Sequence, residues 1–505
     1  MTEQLVAPVG GQNVTGIRGR LSRLALIDLR ISTIAFWALL AIGLALRIVL
    51  LFTNSYVLDS DNSVVFLLSK HISEGEITWF FWGQTYGGTL LELAAGGAMV
   101  VFGPHVQVLG IVGALFFAVA TVLLRQIASL AFGRPVVGNV AGVLFWFSGY
   151  WMARVGFSEP GFYGPSLMLG LLVIWLALRG DRKKSYLQWA LIGLATGLAL
   201  WQSPMGVAIA APAVLVAVIR QFSPTRYLVG AAAAVLGALP WLIVFFTSDT
   251  AVKPQRDTPI GLVNFATFFT RVLPGAFSLS ETGPRYATAF VALALLALLV
   301  VLAVVRRSWW LGTLLVSTGA VVIVVVLGTG AVLDQDSLRY AIFVLPALAV
   351  AIAWIATLLP FTGLVAMALA VGLSIGQTYT LFPQLRLTDS PTYIIGDIDE
   401  LGDYLEEQGI TAAYADYWVS YAVTAETGER VKAATISGPR RYAPYETDAA
   451  NAPVATVIVL LDNENDKALN GNPDMPPSTR TVVADYAIYT YQQPFDAFSY
   501  GWQLF

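Results

Sequence analysis

Long apolar runs separated by short polar turns fill the first three quarters of the chain. A helix that crosses a bilayer needs about 20 predominantly apolar residues, and the turns are marked by charge, proline and glycine. The pattern predicts an α-helical polytopic membrane protein with about eleven transmembrane helices, at 31–52, 106–131, 136–151, 164–178, 187–201, 205–219, 227–246, 287–305, 309–332, 341–358 and 363–379.

Basic residues orient these spans, because Lys and Arg collect on the cytoplasmic side of a membrane. Four arginines precede the first span, so the tail 1–30 is predicted to be cytoplasmic. The apolar run 88–102 is short and contains Glu92, and treating it as a helix on the outer surface keeps almost every basic cluster inside. The predicted outer loops of the module 31–380 are then 53–105, 152–163, 248–286 and 333–340.

The composition changes after about residue 380, where the apolar runs give way to mixed segments. An acid-rich stretch predicts one helix, and β-branched and aromatic residues predict three strands. The helix is expected at 397–408, and the strands at 411–419, 454–461 and 481–491. The segment 381–505 is therefore predicted to be a small extracytoplasmic α/β domain.

Composition limits the chemistry. The chain is 57% hydrophobic and 12% charged, whereas soluble domains carry about 25% charged residues. There is no cysteine, which excludes disulfides, thiolate metal sites and a cysteine nucleophile, and two histidines exclude a His-rich metal centre. A net charge of -3 does not favour a nucleic acid partner.

Ionisable residues follow the first span at once. Asp59 and Asp61 come directly after it, and Lys70-His71 follow before an aromatic stretch, 79–86. Charged groups near the bilayer are costly unless they have partners or a task. Asp59 and Asp61 also suit the start of a helix, since Asp is a favoured N-cap residue.

These residues have the types that sugar transfer from a lipid phosphate requires. A carboxylate takes the proton of the acceptor hydroxyl, and a cation stabilises the charge on the departing phosphate. Asp61, or Asp59, is the candidate base. Arg339, at the start of a late span, is the candidate cation, because Arg binds phosphate oxygens with two donors; the alternative is an interfacial anchor.

The spacing of these motifs resembles the GT-C superfamily of polyprenyl-phosphate-dependent glycosyltransferases. The resemblance is strongest to bacterial relatives of the protein O-mannosyltransferases and of the lipid A aminoarabinose transferases. It rests on the carboxylate pair, the stretch 82–88, the turn 102–104, an acid in the second outer loop and Arg339-Tyr340. The segments 414–418, 427–430 and 441–442 also resemble the outer domain of some members.

The resemblance implies roles for individual residues. Asp61 is expected to be the catalytic acid of the first outer loop, Glu159 a second acid, and Arg339 the contact to the lipid phosphate. Asn62 stands where the family often has another carboxylate. The implied reaction is an inverting transfer from a polyprenyl-phosphate sugar to a glycan, lipid or protein acceptor of the cell envelope. A divalent cation is the one cofactor left open.

Further residues are candidates for substrate binding, each with a plainer alternative. Lys70 and His71 could instead reach the membrane interface, and the aromatic stretch could be an interfacial belt. Glu92 could lie on the polar face of its helix, and Arg154 could pair with Glu159. The full candidate set is Arg339, Tyr340, Arg154, Lys70, His71, Gln84, Tyr86 and Glu92.

Two other classes of function compete. A transporter or flippase of a lipid-linked sugar would place its charges near the middle of the membrane and show internal repeats, and the sequence shows neither. A non-catalytic membrane scaffold with a partner-binding outer domain fits the outer carboxylates less well. The predicted location is the plasma (inner) membrane, multi-pass, with the N-terminus cytoplasmic and the C-terminal domain extracytoplasmic.

Overall fold

A computed structural model describes residues 11–52, 58–84, 87–149, 161–179, 185–247, 262–276, 285–328, 338–381, 397–471 and 476–492. It contains a helical module followed by a small domain with one sheet. The helices of the first half of the module are α1 (Gly11–Leu51), α2 (Ser60–Ser73), α3 (Leu90–Phe102), α4 (Val106–Phe132), α5 (Pro135–Trp146), α6 (Tyr163–Leu178), α7 (Tyr186–Gln202), α8 (Pro204–Arg220), α9 (Pro224–Gly237) and α10 (Leu239–Thr247).

The second half of the module contains a π-helix (Phe268–Val272) between two short α-helices. π-helical turns are rare and are often found near functional sites. The remaining helices are α11 (Leu262–Thr267), α12 (Leu273–Ala276), α13 (Arg285–Val305), α14 (Trp309–Gly328), α15 (Leu338–Ala341), α16 (Leu345–Ala356) and α17 (Thr362–Leu381).

The molecule is a multi-pass membrane protein, but the count of about eleven spans is not confirmed. Within the described residues, five helical stretches are long and apolar enough to cross a membrane, or six if the pair α9 and α10, bent by 65°, counts as one span. The other predicted spans are shorter helices. For example, α5 ends at Trp146, and Pro346 at the start of α16 separates that helix from α15.

Close helix packing in the module depends on small residues. A Cβ on Gly193 in α7 would lie 1.9 Å from the carbonyl oxygen of Gly230 in α9, so no larger residue fits there. Small residues let helix backbones approach closely in a membrane, where dispersion contacts replace the hydrophobic effect between helices. At this crossing α7 and α9 are therefore in direct backbone contact.

The C-terminal domain carries a five-stranded sheet in the order β2-β1-β3-β5-β4. The first three strands are parallel, whereas β5 runs antiparallel to β3 and β4 antiparallel to β5. In chain order the elements are α18 (Ile398–Glu407), β1 (Ala412–Asp416), α19 (Tyr417–Glu426), β2 (Lys432–Ser437), α20 (Ala443–Ala450), β3 (Thr456–Leu460), α21 (Glu464–Leu469), β4 (Ser478–Val483) and β5 (Tyr486–Tyr491).

Several strand predictions need correction. The predicted strand 411–419 ends at Asp416, because the Asp416 carboxylate accepts hydrogen bonds from the backbone of Trp418 and Val419 and starts α19. The predicted strand 481–491 is a hairpin of β4 and β5, with its turn at Ala484, which has φ 47°. Strand β2 has no counterpart in the sequence prediction.

The domain is packed onto the helical module through α2 and α19. Leu67 and Leu68 of α2 are fully buried in the same apolar cluster as Tyr421 and Ala422 of α19. Because one core spans both regions, α2 and the C-terminal domain are packed against each other directly.

Candidate active site

Helix α2 begins with a capping box that fixes its first turn. The Asp59 carboxylate accepts a hydrogen bond from the backbone N–H of Asn62 at 2.8 Å, and the Asn62 side-chain oxygen accepts from the Asp59 N–H at 3.0 Å. This is the reciprocal arrangement that stabilises helix N-termini. Capping, one of the two roles expected for Asp59, therefore accounts for its position, and Asn62 is the other half of the cap.

The same turn presents Asp61 to two side chains from distant parts of the chain. The Tyr417 hydroxyl donates to Asp61 Oδ1 at 2.5 Å, and Arg339 Nη1 lies 3.5 Å from Asp61 Oδ2. The side chains of Asp61 and Arg339 are 44% and 32% exposed, so both remain accessible. Asp61, Arg339 and Tyr417 form what we call the Asp61 cluster.

Arg339 is held at the edge of the helical module by α15. This short helix packs against the π-helix and α12, in which Phe268 and Leu273 are fully buried. The adjacent Tyr340 ring lies edge-on to Tyr163 of α6, with ring centroids 5.9 Å apart. Tyr340 is thus a packing neighbour of the cluster on the side of the membrane module.

Tyr417 is the member of the cluster that comes from the C-terminal domain, at the first position of α19. Burial, and then the negative charge of Asp61, raise the pKa of Tyr417 well above its ordinary value of 10.0, although nearby Arg441 acts in the opposite direction. The hydroxyl therefore stays protonated at neutral pH and donates a hydrogen bond to Asp61. Sequence reasoning did not single out Tyr417; the signal was the resemblance of 414–418 to outer domains of the superfamily.

The other end of α2 forms a second polar group, the docking network, made by Lys70, His71, Glu76, Glu429 and Tyr445. Lys70 Nζ donates to Glu429 Oε2, and His71 Nε2 lies 2.9 Å from Glu429 Oε1. His71 Nδ1 lies 2.7 Å from Glu76 Oε2, and the Tyr445 hydroxyl donates to Glu429 Oε1 at 2.8 Å. Glu429 thus forms the polar part of the contact between the domain and α2.

Charge is strongly stabilised in the docking network. Burial alone would raise the pKa of Glu429, but hydrogen bonds from His71, Lys70 and Tyr445 outweigh it and lower that pKa to about 2. Burial likewise acts to lower the pKa of His71, yet its bonds to Glu429 and Glu76 raise it above its ordinary value of 6.5. Lys70 and His71, predicted as substrate-binding residues, are thus placed in contacts within the protein.

The aromatic stretch after α2 is fastened to the membrane module and to the domain. Trp201 Nε1 donates to the Trp79 carbonyl oxygen at 2.7 Å. Trp82 stacks on Tyr442 of the domain with ring centroids 4.2 Å apart. With its carboxamide oxygen turned toward the domain, Gln84 accepts from Arg441 Nη1 at 2.6 Å and from Nη2 at 3.2 Å.

The remaining candidates are not part of the Asp61 cluster. Glu92 is 1% exposed, on the buried side of α3, and its Oε2 has no hydrogen-bond partner among the described residues. It does not lie on an exposed polar face. Arg154, Glu159 and Tyr86 lie outside the described residues, so their predicted roles stay predictions.

A cation site is not assembled from the described part of the chain. Within those residues, no group of three or more His, Asp or Glu side chains could hold a metal ion. Asp61 has Tyr417 and Arg339 as its neighbours, and an arginine is a poor companion for a metal.

Comparison with known proteins gives matches in structure only. No family model and no curated protein matches the sequence. The crystal structure of ArnT from Cupriavidus metallidurans in the apo state is similar over 91% of this chain and 97% of ArnT, with a TM-score of 0.61 and 11% identity. The structure of the same protein bound to undecaprenyl phosphate matches over the same shares, with a TM-score of 0.58 and 11% identity.

A third match is weaker. The Archaeoglobus fulgidus oligosaccharyltransferase, in complex with Zn and sulfate, has a TM-score of 0.45 and 14% identity over 83% of this chain and 67% of its own. The similarity to ArnT confirms the fold that the resemblance implied. The chain is a multi-pass membrane protein with an ArnT-like fold and a small C-terminal sheet domain.

Proposed function

We propose that the protein is a membrane glycosyltransferase that moves a sugar from a polyprenyl-phosphate-linked donor to a cell-envelope acceptor. The observation that carries the proposal is the Asp61 cluster, in which an accessible carboxylate lies beside an accessible guanidinium. The ArnT-like fold supports it, because a structure of ArnT holds undecaprenyl phosphate. ArnT is thus a precedent for a polyprenyl phosphate on this fold.

In the proposed reaction, Asp61 accepts the proton of the acceptor hydroxyl while the hydroxyl oxygen bonds to the anomeric carbon of the donor sugar. The bond from that carbon to the phosphate oxygen breaks, and its electron pair leaves on the polyprenyl phosphate. Arg339 stabilises that charge with its forked donors. A single displacement of this kind inverts the anomeric centre.

The geometry around Arg339 suits an exchange of partners. Its contact to Asp61 is 3.5 Å long, at the limit of a hydrogen bond and with both groups partly exposed. A phosphate that offers two oxygens to the guanidinium is therefore a better partner than the carboxylate. When the donor binds, Asp61 is released from Arg339 and retains the Tyr417 hydroxyl.

The remaining assignments follow from the predicted topology. We propose that the first outer loop, Arg339 and the domain 381–505 face the extracytoplasmic side of the plasma membrane, with the N-terminus in the cytoplasm. Glu159 is proposed as a second acid, and Tyr340 and Gln84 as residues that border the substrate. The proposed range of acceptors, glycan, lipid or protein, is taken from the resemblance of the sequence motifs to GT-C proteins.

The test is a donor panel. Purified protein in nanodiscs is incubated with a set of polyprenyl-phosphate sugars and a membrane extract, and consumption of each donor is measured. We expect one donor to be consumed by the wild-type protein and none by Asp61→Asn. An Asp61→Asn protein that folds and keeps full activity would remove Asp61 as the base, and movement of the donor across vesicles without transfer would support a transporter instead.

A further inference from the structure

The loop that follows β2 brings a second arginine to the Asp61 cluster. Gly83 of the first outer loop makes the approach feasible, because it has φ +68° and a Cβ there would lie 2.6 Å from the carbonyl oxygen of Arg440. The Tyr421 hydroxyl accepts from the backbone N–H of Arg441 at 2.7 Å. The loop is therefore held by Gly83 on one side and by Tyr421 on the other, which fixes the position of the Arg441 side chain.

The Arg441 guanidinium is surrounded by neutral groups. It donates to the Gln84 carboxamide oxygen, and it lies 5.3 Å from the Phe81 ring centroid and 5.7 Å from that of Tyr417. Its Nε is buried and has no hydrogen-bond partner among the described residues. Tyr417 in turn donates to Asp61 Oδ1, so Arg441 is separated from the carboxylate by one ring.

The other arginines of the described domain are neutralised by acids, which sets Arg441 apart. Arg430 pairs with Glu406 at 2.7 Å, Arg440 with Glu446 at 3.6 Å, and Arg480 with Asp466 at 2.6 Å. Among the residues that the structure describes, no carboxylate forms such an ion pair with Arg441. Within the described residues, its charge is thus held in place without a paired carboxylate.

We propose that Arg441 binds an anionic group of the substrate, a phosphate or a carboxylate, from the Tyr417 side of Asp61. This rests on the proposed function and adds to it that the C-terminal domain supplies a substrate contact. Asp61 would then lie between two cations, Arg339 near Oδ2 and Arg441 beyond the tyrosine that bonds Oδ1. Because a guanidinium has five N–H donors, the bonds of Arg441 to Gln84 leave further N–H groups that can bind such an anion.

The anion has two sources, the donor phosphate and an acidic group of the acceptor, and binding distinguishes them. Protein in nanodiscs is titrated calorimetrically with undecaprenyl phosphate, and then, saturated with that lipid, with inorganic phosphate. The variants are Arg441→Gln, Arg441→Lys and Arg339→Gln. Arg440→Gln is the matched control, because it removes the neighbouring charge from an exposed ion pair.

Loss of one charge-assisted contact weakens binding by roughly tenfold to a hundredfold. If the anion is the donor phosphate, Arg441→Gln weakens undecaprenyl phosphate binding by about this factor relative to Arg440→Gln. If the anion belongs to the acceptor, only the second titration, with inorganic phosphate, is weakened. Arg441→Lys, which keeps the charge, is expected to recover part of the affinity in either case.

The proposal is overturned if Arg441→Gln matches Arg440→Gln in both titrations. The melting temperature of each variant is measured alongside. A variant that melts earlier but binds both anions normally assigns Arg441 a structural role and also overturns it. Failure of the proposed function gives a different result. In that case the wild-type protein does not bind undecaprenyl phosphate, or Arg339→Gln binds it as tightly as the wild type does.

Discussion

The two ends of helix α2 carry charges that are used in opposite ways. At its start, Asp61 is 44% exposed and has a 3.5 Å contact to Arg339. In its last turn, Lys70 and His71 are 15% and 11% exposed and share the carboxylate of Glu429, itself 11% exposed. The Asp61–Arg339 pair is accessible and joined by a long contact, whereas the Lys70, His71 and Glu429 side chains are enclosed and joined by short contacts.

The contrast shows how one helix can combine a rigidly held end with an end whose charged groups remain accessible. Enclosed charges must be fully paired, because an unpaired buried charge is costly. The docking network meets that demand and fixes the helix against the domain. The accessible end is hydrated and can tolerate a long contact, so its carboxylate and guanidinium remain able to exchange partners with a substrate.

The largest expected effect comes from the accessible end. Asp61→Asn removes the proton acceptor and is expected to lower the transfer rate by about a hundredfold to ten-thousandfold, as for other general bases. Initial rates in nanodiscs with the consumed donor measure it. Asp59→Asn is the matched control, since Asn also caps a helix and the rate should change little. Equal losses in the two variants would contradict the contrast.

At the enclosed end the expected effect is on stability. Glu429→Gln leaves the charges of Lys70 and His71 without their shared carboxylate and is expected to cost about 3 kcal/mol in the free energy of unfolding of the domain. Urea unfolding in nanodiscs, followed by tryptophan fluorescence, measures it. The control is Glu74→Gln, which removes the other acid beside Lys70. Because the Glu74 side chain is 55% exposed, its loss should cost about 0.5 kcal/mol or less. Equal costs would show that the network does not hold the domain.

Tyr417→Phe tests both ends of the contrast at once, because Tyr417 belongs to the docked domain but its hydroxyl bonds the accessible carboxylate. Loss of its hydrogen bond to Asp61 is expected to lower the transfer rate by about tenfold, equivalent to about 1.4 kcal/mol, with little change in unfolding. Tyr489→Phe, whose hydroxyl bonds Asp466 within the domain, is the control and should leave the rate unchanged. A rate loss in the control alone would contradict the assignment.

The smallest effect is a pH dependence of docking. The lowered pKa of Glu429 makes its contribution fully present above about 4.5 and lost as the pH falls toward about 2. The raised pKa of His71 makes its contribution fully present below 6.5 and lost as the pH rises through the raised value. Lys70, Glu74, Glu76, Tyr442 and Tyr445 face these groups, and Lys70, with a raised pKa, stays charged.

Docking is therefore expected to be tightest between about pH 4.5 and 6.5, and to loosen slightly on the alkaline side. Hydrogen exchange of the backbone of α2 and α19 across about pH 2 to 8.5, corrected for intrinsic rates, measures it. In His71→Gln the alkaline loss should disappear while the acidic loss remains. An alkaline loss of the same size in that variant would mean that another group is responsible.

Local pattern was sufficient for the coarse architecture. The apolar runs predicted a helical membrane protein, and the change near residue 380 predicted a small α/β domain. The predicted count of about eleven spans is not confirmed, because a run of apolar residues has the same hydropathy whether it belongs to a long spanning helix or to a shorter one such as α5, which has 12 residues. Interior helices and spans differ in their neighbours, which a single run does not reveal.

The site was predictable only in part, for a related reason. Asp61 and Arg339 were singled out because an ionisable group next to a span is unusual, and the structure brings the two side chains together. Tyr417 and Glu429 were missed because their partners lie 356 and 358 residues away, in a domain where tyrosine and glutamate are ordinary. Only the fold reveals that Tyr417 begins a helix directed at Asp61.

The Asp61 cluster joins residues from the first eighth, the start of the last third and the last fifth of the chain, which has a consequence for biosynthesis. A ribosome that has made the loop containing Asp61 has produced the carboxylate but neither Arg339 nor Tyr417. If Asp61 is the base of the proposed reaction, the nascent polypeptide stays inactive until residue 417 has been synthesised and the domain has packed onto α2. Chains released early by premature termination would then lack transfer activity.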